Sequence, residues 1–319
     1  MRVVFIDSLN SLFIRNYVVN PTLSLNGAPI GGVVGGLKSL QSMINYIKPD
    51  EVVVVWDGLG GSRRRRAIDK NYKAGRKPIN LNRSLQIDPQ DEERNKFWQH
   101  AKLIEYLSFL PVKQLIYESV EADDVIAFLV HREKYKEAQK IIVSSDKDFF
   151  QLIDKNTIVY RPIQDEVLSI KKILEKYGIH PRNFALARAI SGDDKSDNVQ
   201  GVGGVKLKSV AKRFDFLKEE KEYSIDDVVK FCQNVEKPLV IHKNILSGRD
   251  QVIQNMRMIQ LDSPLISLQA QGEIREEIEK RDLVFRKSMF TQSAIKDGFA
   301  ELNWTPLFQW SNRVMSEIK

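Results

Sequence analysis

Three short apolar runs, each closing on an aspartate, constrain this chain more than anything else in it. Val3–Ile6 ends at Asp7, Val52–Trp56 ends at Asp57, and Ile141–Val143 is followed within a few residues by Asp146. Apolar runs of this length, without alternation, suit strands buried on both faces, as in a parallel sheet covered by helices. The intervening segments carry helical patterning. Val33, Leu37, Leu40, Ile44 and Ile47 form one stripe; Phe97, Trp98, Leu103, Ile104 and Leu107 form another between Asp91 and Leu110. Alternating strands and helices predict an α/β fold with a central, mostly parallel sheet flanked by helices. In such sheets ligands collect beyond the carboxyl ends of the strands, where these aspartates stand.

Residues 118–150 add two tight acidic groups. Glu121, Asp123 and Asp124 open a helical pattern, and Asp146 and Asp148 follow the third apolar run. Either group alone is satisfied by complementing a helix dipole or by an Asp-rich turn. Brought together, the carboxylates repel, and a hard divalent cation such as Mg²⁺ or Mn²⁺ relieves that repulsion. Acids scattered over separate faces, or already neutralised by lysines and arginines, would argue against such a centre.

The 319 residues, 42% hydrophobic, allow one large or two modest domains with a real core. The sole cysteine, Cys232, excludes an internal disulfide and a Cys₂His₂ zinc site, and only four histidines are present. No apolar run approaches about 18 residues, and the opening MRVVFIDSLN reads as a core strand, not a secretory signal. A reducing cytoplasm fits, without membrane contact. The net charge of +7 is localised: residues 58–80 hold eight Lys/Arg and one acid, which leaves 41 of each sign elsewhere. That segment is an electrostatic footprint for a polyanion, a solvated basic loop, or both. With Gly58, Gly60 and Gly61 at its start and no strand or long apolar helix, 58–90 reads as a mobile basic excursion.

Val112–Tyr117 and Thr157–Tyr160 read as further strands and Ile170–Tyr177 as a helix, before a mostly helical second half. There, Asp193, Asp194 and Asp197 either aim at one point or form Asx turns. Residues 201–214, GVGGVKLKSVAKRF, are a Gly-rich turn running into a basic helix. This is either a phosphate-binding helix start or a plain helical hairpin, and neither Walker A nor a dinucleotide fingerprint. The tail, with Phe299, Trp304, Phe308 and Trp310, reads as a core helix before a docking segment.

Taken in order, FIDSLNSLFIR, VVWDG, NYKAGRKP, VEADDVIA, VSSDKDFFQL and GDDKSDNVQGVGGVKLKS span residues 5–209. The set resembles the 5′-nuclease superfamily: flap endonucleases, the 5′-nuclease domain of bacterial DNA polymerase I, and bacteriophage ribonuclease H-type 5′-exonucleases. The resemblance implies a PIN-like nuclease domain over 1–180, with a helical arch inserted near 58–100. A helical DNA-binding region over 181–319 would follow, with a helix–three-turn–helix near 188–216. It implies that Asp7, Asp57, Glu121, Asp123, Asp124, Asp146, Asp148, Asp194 and Asp197 bind two or more Mg²⁺ ions, for which Mn²⁺ substitutes. Asp123, Asp124 and Asp146 would lie nearest the cleaving metal. Tyr72, Lys73 and Arg76 match the base of the arch, with Lys73 and Arg76 acting on the scissile phosphate and Tyr72 stacking on a base. DNA contacts would further come from Arg15, Arg65, Arg66 and Lys77, and from Gly201, Gly203, Gly204, Lys206, Lys208, Ser209 and Lys212 in the hairpin, which in this family often holds K⁺.

Three positions depart from the family pattern. Arg15 stands eight residues after Asp7 instead of seven, Lys206 replaces the second glycine of a G-I-G turn, and Asp193 takes a glycine's place. The implied activity is structure-specific 5′→3′ exonuclease and flap endonuclease action in replication and repair, by a two-metal mechanism. The implied substrates are DNA with a 5′ flap, nick or 5′ end, and RNA primers in RNA–DNA hybrid. A monomer working beside a single-strand-binding protein or sliding clamp follows by analogy. Two alternatives stand beside it: a non-catalytic branched-DNA binding protein of the same fold, and a PIN-type single-strand ribonuclease.

Overall fold

The computed structural model describes residues 1–74, 88–193, 197–280 and 282–318. Six strands form one sheet: β1 (Arg2–Asp7), β2 (Glu51–Trp56), β3 (Lys113–Ile116), β4 (Gln139–Val143), β5 (Thr157–Arg161) and β6 (Glu166–Leu168). Their order is β3-β2-β1-β4-β5-β6, with the first five parallel and β6 antiparallel to β5. The order reverses between β1 and β4, which makes the crevice at their carboxyl ends the topological switch point. The register aligns these ends: Ile6 pairs with both Val54 and Val143. Sequence patterning does not mark β6, a three-residue strand that returns from β5 through Asp165 at φ 47°.

Both faces of the sheet are buried, as uninterrupted apolar strands require. Val3, Phe5, Val53, Val55 and Ile142 face one cluster, which includes α5 (Ala122–Val130) and runs on through helices as far as residue 278. Val4, Ile6, Val52, Val54 and Val143 face the other, formed with α2 (Gly31–Ile47) and α4 (Pro89–Ser108). A π-helical turn (Leu9–Ile14) and α1 (Arg15–Val19) follow β1, and α3 (Arg63–Ile68) follows β2. The second half comprises α6 (Ile170–Tyr177), α7 (Phe184–Ser191), α8 (Leu207–Arg213), α9 (Ile225–Asn234), α10 (Val240–Ser247), α11 (Arg249–Ile259), α12 (Leu268–Glu279), α13 (Lys287–Asp297) and α14 (Thr305–Ile318).

One expectation changes at this level: the segment after β2 is not irregular throughout, because its arginine run 63–66 begins α3, which points Arg65 inward. The core runs on past residue 180. Phe184, Leu186, Val210 and Ile274 share a cluster with sheet residues. The chain then returns to the opposite face, where Phe290, Phe299, Trp304, Leu307 and Trp310 pack with α2 and α4. The Trp310 indole N–H donates to the Pro49 carbonyl (2.8 Å), and Tyr106 Oη donates to Asp297 Oδ2 (2.8 Å). The aromatic tail is thus core. Among the described residues no helix is long and apolar enough to cross a membrane.

Candidate metal centre

The carboxyl ends of β1, β2 and β4 deliver the first acids. Asp7, the last residue of β1, is buried and accepts from Ser144 Oγ (2.8 Å) and Asn10 Nδ2 (3.0 Å). Burial first, then the neighbouring Asp57 and Asp146 carboxylates, push its pKa up to about 6. Asp57, just past β2, accepts the Ala122 N–H at 2.8 Å and so caps the first turn of α5. Glu121, in the N-cap position of that helix, makes no capping bond of its own, which leaves its carboxylate for the site. Asp146 donates its N–H to Ser144 Oγ (3.0 Å) and accepts from the Asp148 N–H (2.9 Å). Burial raises its pKa; the Asp148 N–H works against this and Asp197 adds to it. Asp148 is pushed up to about 7 by burial and by Asp146, despite Arg188 Nε at 3.1 Å.

The first turn of α5 supplies the second group. Oxygens of Glu121, Asp123 and Asp124 lie within 4.8 Å of one another. Arg65 sits among them: its guanidinium pairs with Glu121, with Asp124 Oδ2 at 2.7 Å and with Asp123 Oδ2 at 3.2 Å. Burial disfavours the arginine's charge, but Asp123, Asp124 and Glu121 together raise its pKa well above the ordinary value. Glu121 is buried, yet Arg65 and Lys73 hold its carboxyl below the usual range. Asp123 is raised, by burial and then by Asp124 and Glu121, although Arg65 opposes them. Lys73 Nζ pairs with Glu121, and the Lys73 backbone, at φ 56°, donates its N–H to the Asp197 carbonyl (2.9 Å). Tyr72 Oη lies 3.4 Å from Glu121 Oε2 and 3.3 Å from Asp197 Oδ2, which links the two acidic segments.

Seven of the expected acids are thus connected around one strand-end crevice, and Asp197 joins them through Tyr72 and Lys73; Asp194 lies outside the described residues, as do Arg76 and Lys77. Asp7, Asp57 and Asp146 offer hard carboxylate oxygens, the latter two burdening the buried Asp7, and among the described residues no lysine or arginine hydrogen-bonds to them; the carboxylates that lie close enough together to share one ion are those of Glu121, Asp123 and Asp124. Arg65 and Tyr72, expected at DNA, are each 2% exposed in this structure and turned towards the α5 carboxylates. The attraction of the α5 carboxylates draws both inward. Asp124 is also 2% exposed, and both its oxygens are engaged, by Arg65 and by the Leu265 N–H (2.9 Å).

Arg15, Arg66, Lys206, Lys208, Ser209 and Lys212 are exposed. Gly201, Gly203 and Gly204 form the turn before α8, the last two at φ 51° and 71°. Sequence reasoning missed Arg188, buried on α7, which joins Asp148 to Asp193 Oδ2 (2.6 Å). The signal was a lone charge in the otherwise small and apolar FALARAIS. Ser144 and Asn10, which hold Asp7, carry no such signal.

The model of the 5′-3′ exonuclease N-terminal, resolvase-like domain matches residues 2–178. The 5′-3′ exonuclease of Aquifex aeolicus is 31% identical over 238 residues, 74% of this chain and 75% of that protein. That of Buchnera aphidicola (subsp. Schizaphis graminum) is 30% identical over 68% of this chain and 71% of its own. DNA polymerase I of Caldicellulosiruptor bescii is 29% identical over 83% of this chain, which spans 30% of that longer protein. Among solved structures, T5 5′-exonuclease with bound zinc superposes with a TM-score of 0.65 at 14% identity, covering 100% of both chains, a likeness of fold. By the match over residues 2–178 and these identities, the chain belongs to the 5′-3′ exonuclease family.

Proposed function

We propose that this protein is a structure-specific 5′ nuclease that hydrolyses phosphodiesters at 5′ ends and 5′ flaps of duplex DNA, leaving a 5′-phosphate and a 3′-hydroxyl. The observation that carries the reading is the gathering of carboxylates at the sheet's switch point, where Asp57 and Asp146 burden the buried Asp7 and Glu121, Asp123 and Asp124 lie within 4.8 Å of one another. Asp7, Asp57 and Asp146, with the partly exposed Asp123, would hold Mg²⁺, or Mn²⁺ in its place. Divalent metal at such a site supplies an activated water and stabilises charge on the leaving oxygen. The chain's own contribution is positional. Ser144 and Asn10 orient Asp7, the α5 N–H at Ala122 orients Asp57, and the Asp148 N–H orients Asp146. Lys73, 20% exposed in its side chain and paired with Glu121, stands where it can transfer its charge to a phosphate. The exposed Lys206, Lys208 and Lys212 suit duplex backbone, so binding should be salt-sensitive and blind to sequence. K⁺ at the Gly201–Gly204 turn and cleavage of RNA in RNA–DNA hybrid belong to the same reading.

A labelled 5′-flap duplex tests it. Mg²⁺-dependent release of a 5′ fragment, abolished by EDTA, is expected, and Asp146→Asn should bind the flap but release nothing. Wild-type binding without cleavage would favour the non-catalytic alternative, and preference for bare RNA the ribonuclease.

A further inference from the structure

We infer that Arg65 is a resident cation of the acidic centre, positioning Glu121, Asp123 and Asp124 and holding the place that a divalent ion would otherwise take among them. The inference deepens the nuclease reading and rests on it. All three guanidinium nitrogens are directed. Nη1 meets Glu121 and Asp124 Oδ2, Nη2 meets Asp124 Oδ1 (3.3 Å) and Asp123 Oδ2 (3.2 Å), and Nε donates to the Met258 carbonyl (2.8 Å). A planar fork matched to carboxylates in this way is a fixed structural element, unlike a mobile lysine. Its side chain is 3% exposed, so no solvent competes for these bonds.

Asp124 completes the case. Its Oδ1 accepts from both Arg65 and the Leu265 N–H, and its Oδ2 accepts from Arg65, so the carboxylate is committed to the protein. Asp123 differs in exposure, its side chain being 21% exposed, although its Oδ2 meets Arg65 and its Oδ1 accepts the Asp124 N–H (2.7 Å). The acids therefore divide. Asp7, Asp57 and Asp146 hydrogen-bond to no lysine or arginine among the described residues, whereas the α5 group already contains its cation. Through Met258, Arg65 also ties α3 to α11 and so seats the base of the 58–74 segment against the second half of the chain. Without Arg65, buried carboxylates would lie within 4.8 Å of one another and would have to protonate or capture a metal.

The test counts metal instead of turnover. The full chain is titrated with Mn²⁺, free ion being read by electron paramagnetic resonance, and thermal unfolding is followed with and without the ion. Arg65→Met should bind one more Mn²⁺ per chain than wild type, or the same number at least tenfold tighter, with a larger Mn²⁺-induced rise in Tm. Arg65→Lys should restore the wild-type count, and Asp124→Asn should leave it unchanged. A wild-type count and Tm response in Arg65→Met would overturn the inference, as would loss of a bound Mn²⁺ in Asp124→Asn. If Arg65→Met folds only with Mn²⁺ the inference stands; if it folds under neither condition, the Asp124→Asn count decides. A wild-type protein that shows these counts but never cleaves a flap would remove the nuclease reading alone.

Discussion

At the scale of single residues, the centre is governed by which carboxylates have a protein cation and which do not. Asp7 is of the second kind, and its pKa of about 6 has a direct consequence for stability. An aspartate whose pKa rises on folding from an ordinary 3.8 binds its proton more tightly when folded. It therefore contributes stability at low pH, and that contribution is lost as pH rises through about 6. Chelated protein should accordingly gain Tm from Asp7→Asn at pH 8 and little at pH 4.5, a difference measurable by calorimetry. Added Mg²⁺ should raise the Tm of wild type at pH 8 and not that of the variant. Lys73, paired with Glu121 and proposed to act on the scissile phosphate, presents the complementary case. Lys73→Ala should slow single-turnover cleavage by about 100-fold, the size of one well-placed electrostatic donor, with much less effect on flap binding. An unchanged rate would place that side chain away from the reacting group.

Among elements, the pairing of segments 192–193 and 199–200, between α7 and α8, is the most sharply specified. Gly192 has φ 70°, and a Cβ there would lie 2.2 Å from the Gly201 nitrogen and 2.5 Å from the Val199 oxygen. The two strand-like segments at 192–193 and 199–200 close only because that position lacks a side chain. Gly192→Ala should cost about 1–3 kcal/mol and weaken duplex binding through a misplaced α8, read as a lower denaturation midpoint and a raised Kd. The Gly-rich turn at 201–204 was legible in the sequence; the need for glycine at 192, and the backbone it approaches, were not. Much of α5 was equally legible, since its acidic first turn and apolar stripe are local features. That Asp57 would cap this helix, and so release Glu121, depends on two segments that meet only in the folded sheet.

For the whole molecule, the two layers of helix on the sheet are closed by the end of the chain. Trp310 is 5% exposed and its indole reaches the Pro49 carbonyl beside the start of β2. Trp310→Ala should destabilise by about 3–5 kcal/mol, seen as a lower Tm, while cleavage measured well below that Tm stays near wild type because the acids lie at the opposite ends of the strands. A loss of cleavage without a loss of stability would mean that the tail does more than close the core.

The sequence by itself determined the five parallel strands of the sheet, though not the antiparallel β6, and which aspartates close β1 and β2, because strand burial and strand termini are written in contiguous residues. Tertiary structure alone decided the fate of the charges. Arg65 reads as one more surface arginine in a basic run, and Arg188 as an isolated charge on a small helix. Whether such a residue faces a polyanion or a buried carboxylate depends on which way its helix turns against the rest of the fold. Burial magnifies that choice, since in a low-dielectric interior the attraction between an inward arginine and its acids is far stronger than in water and must offset the cost of desolvating them.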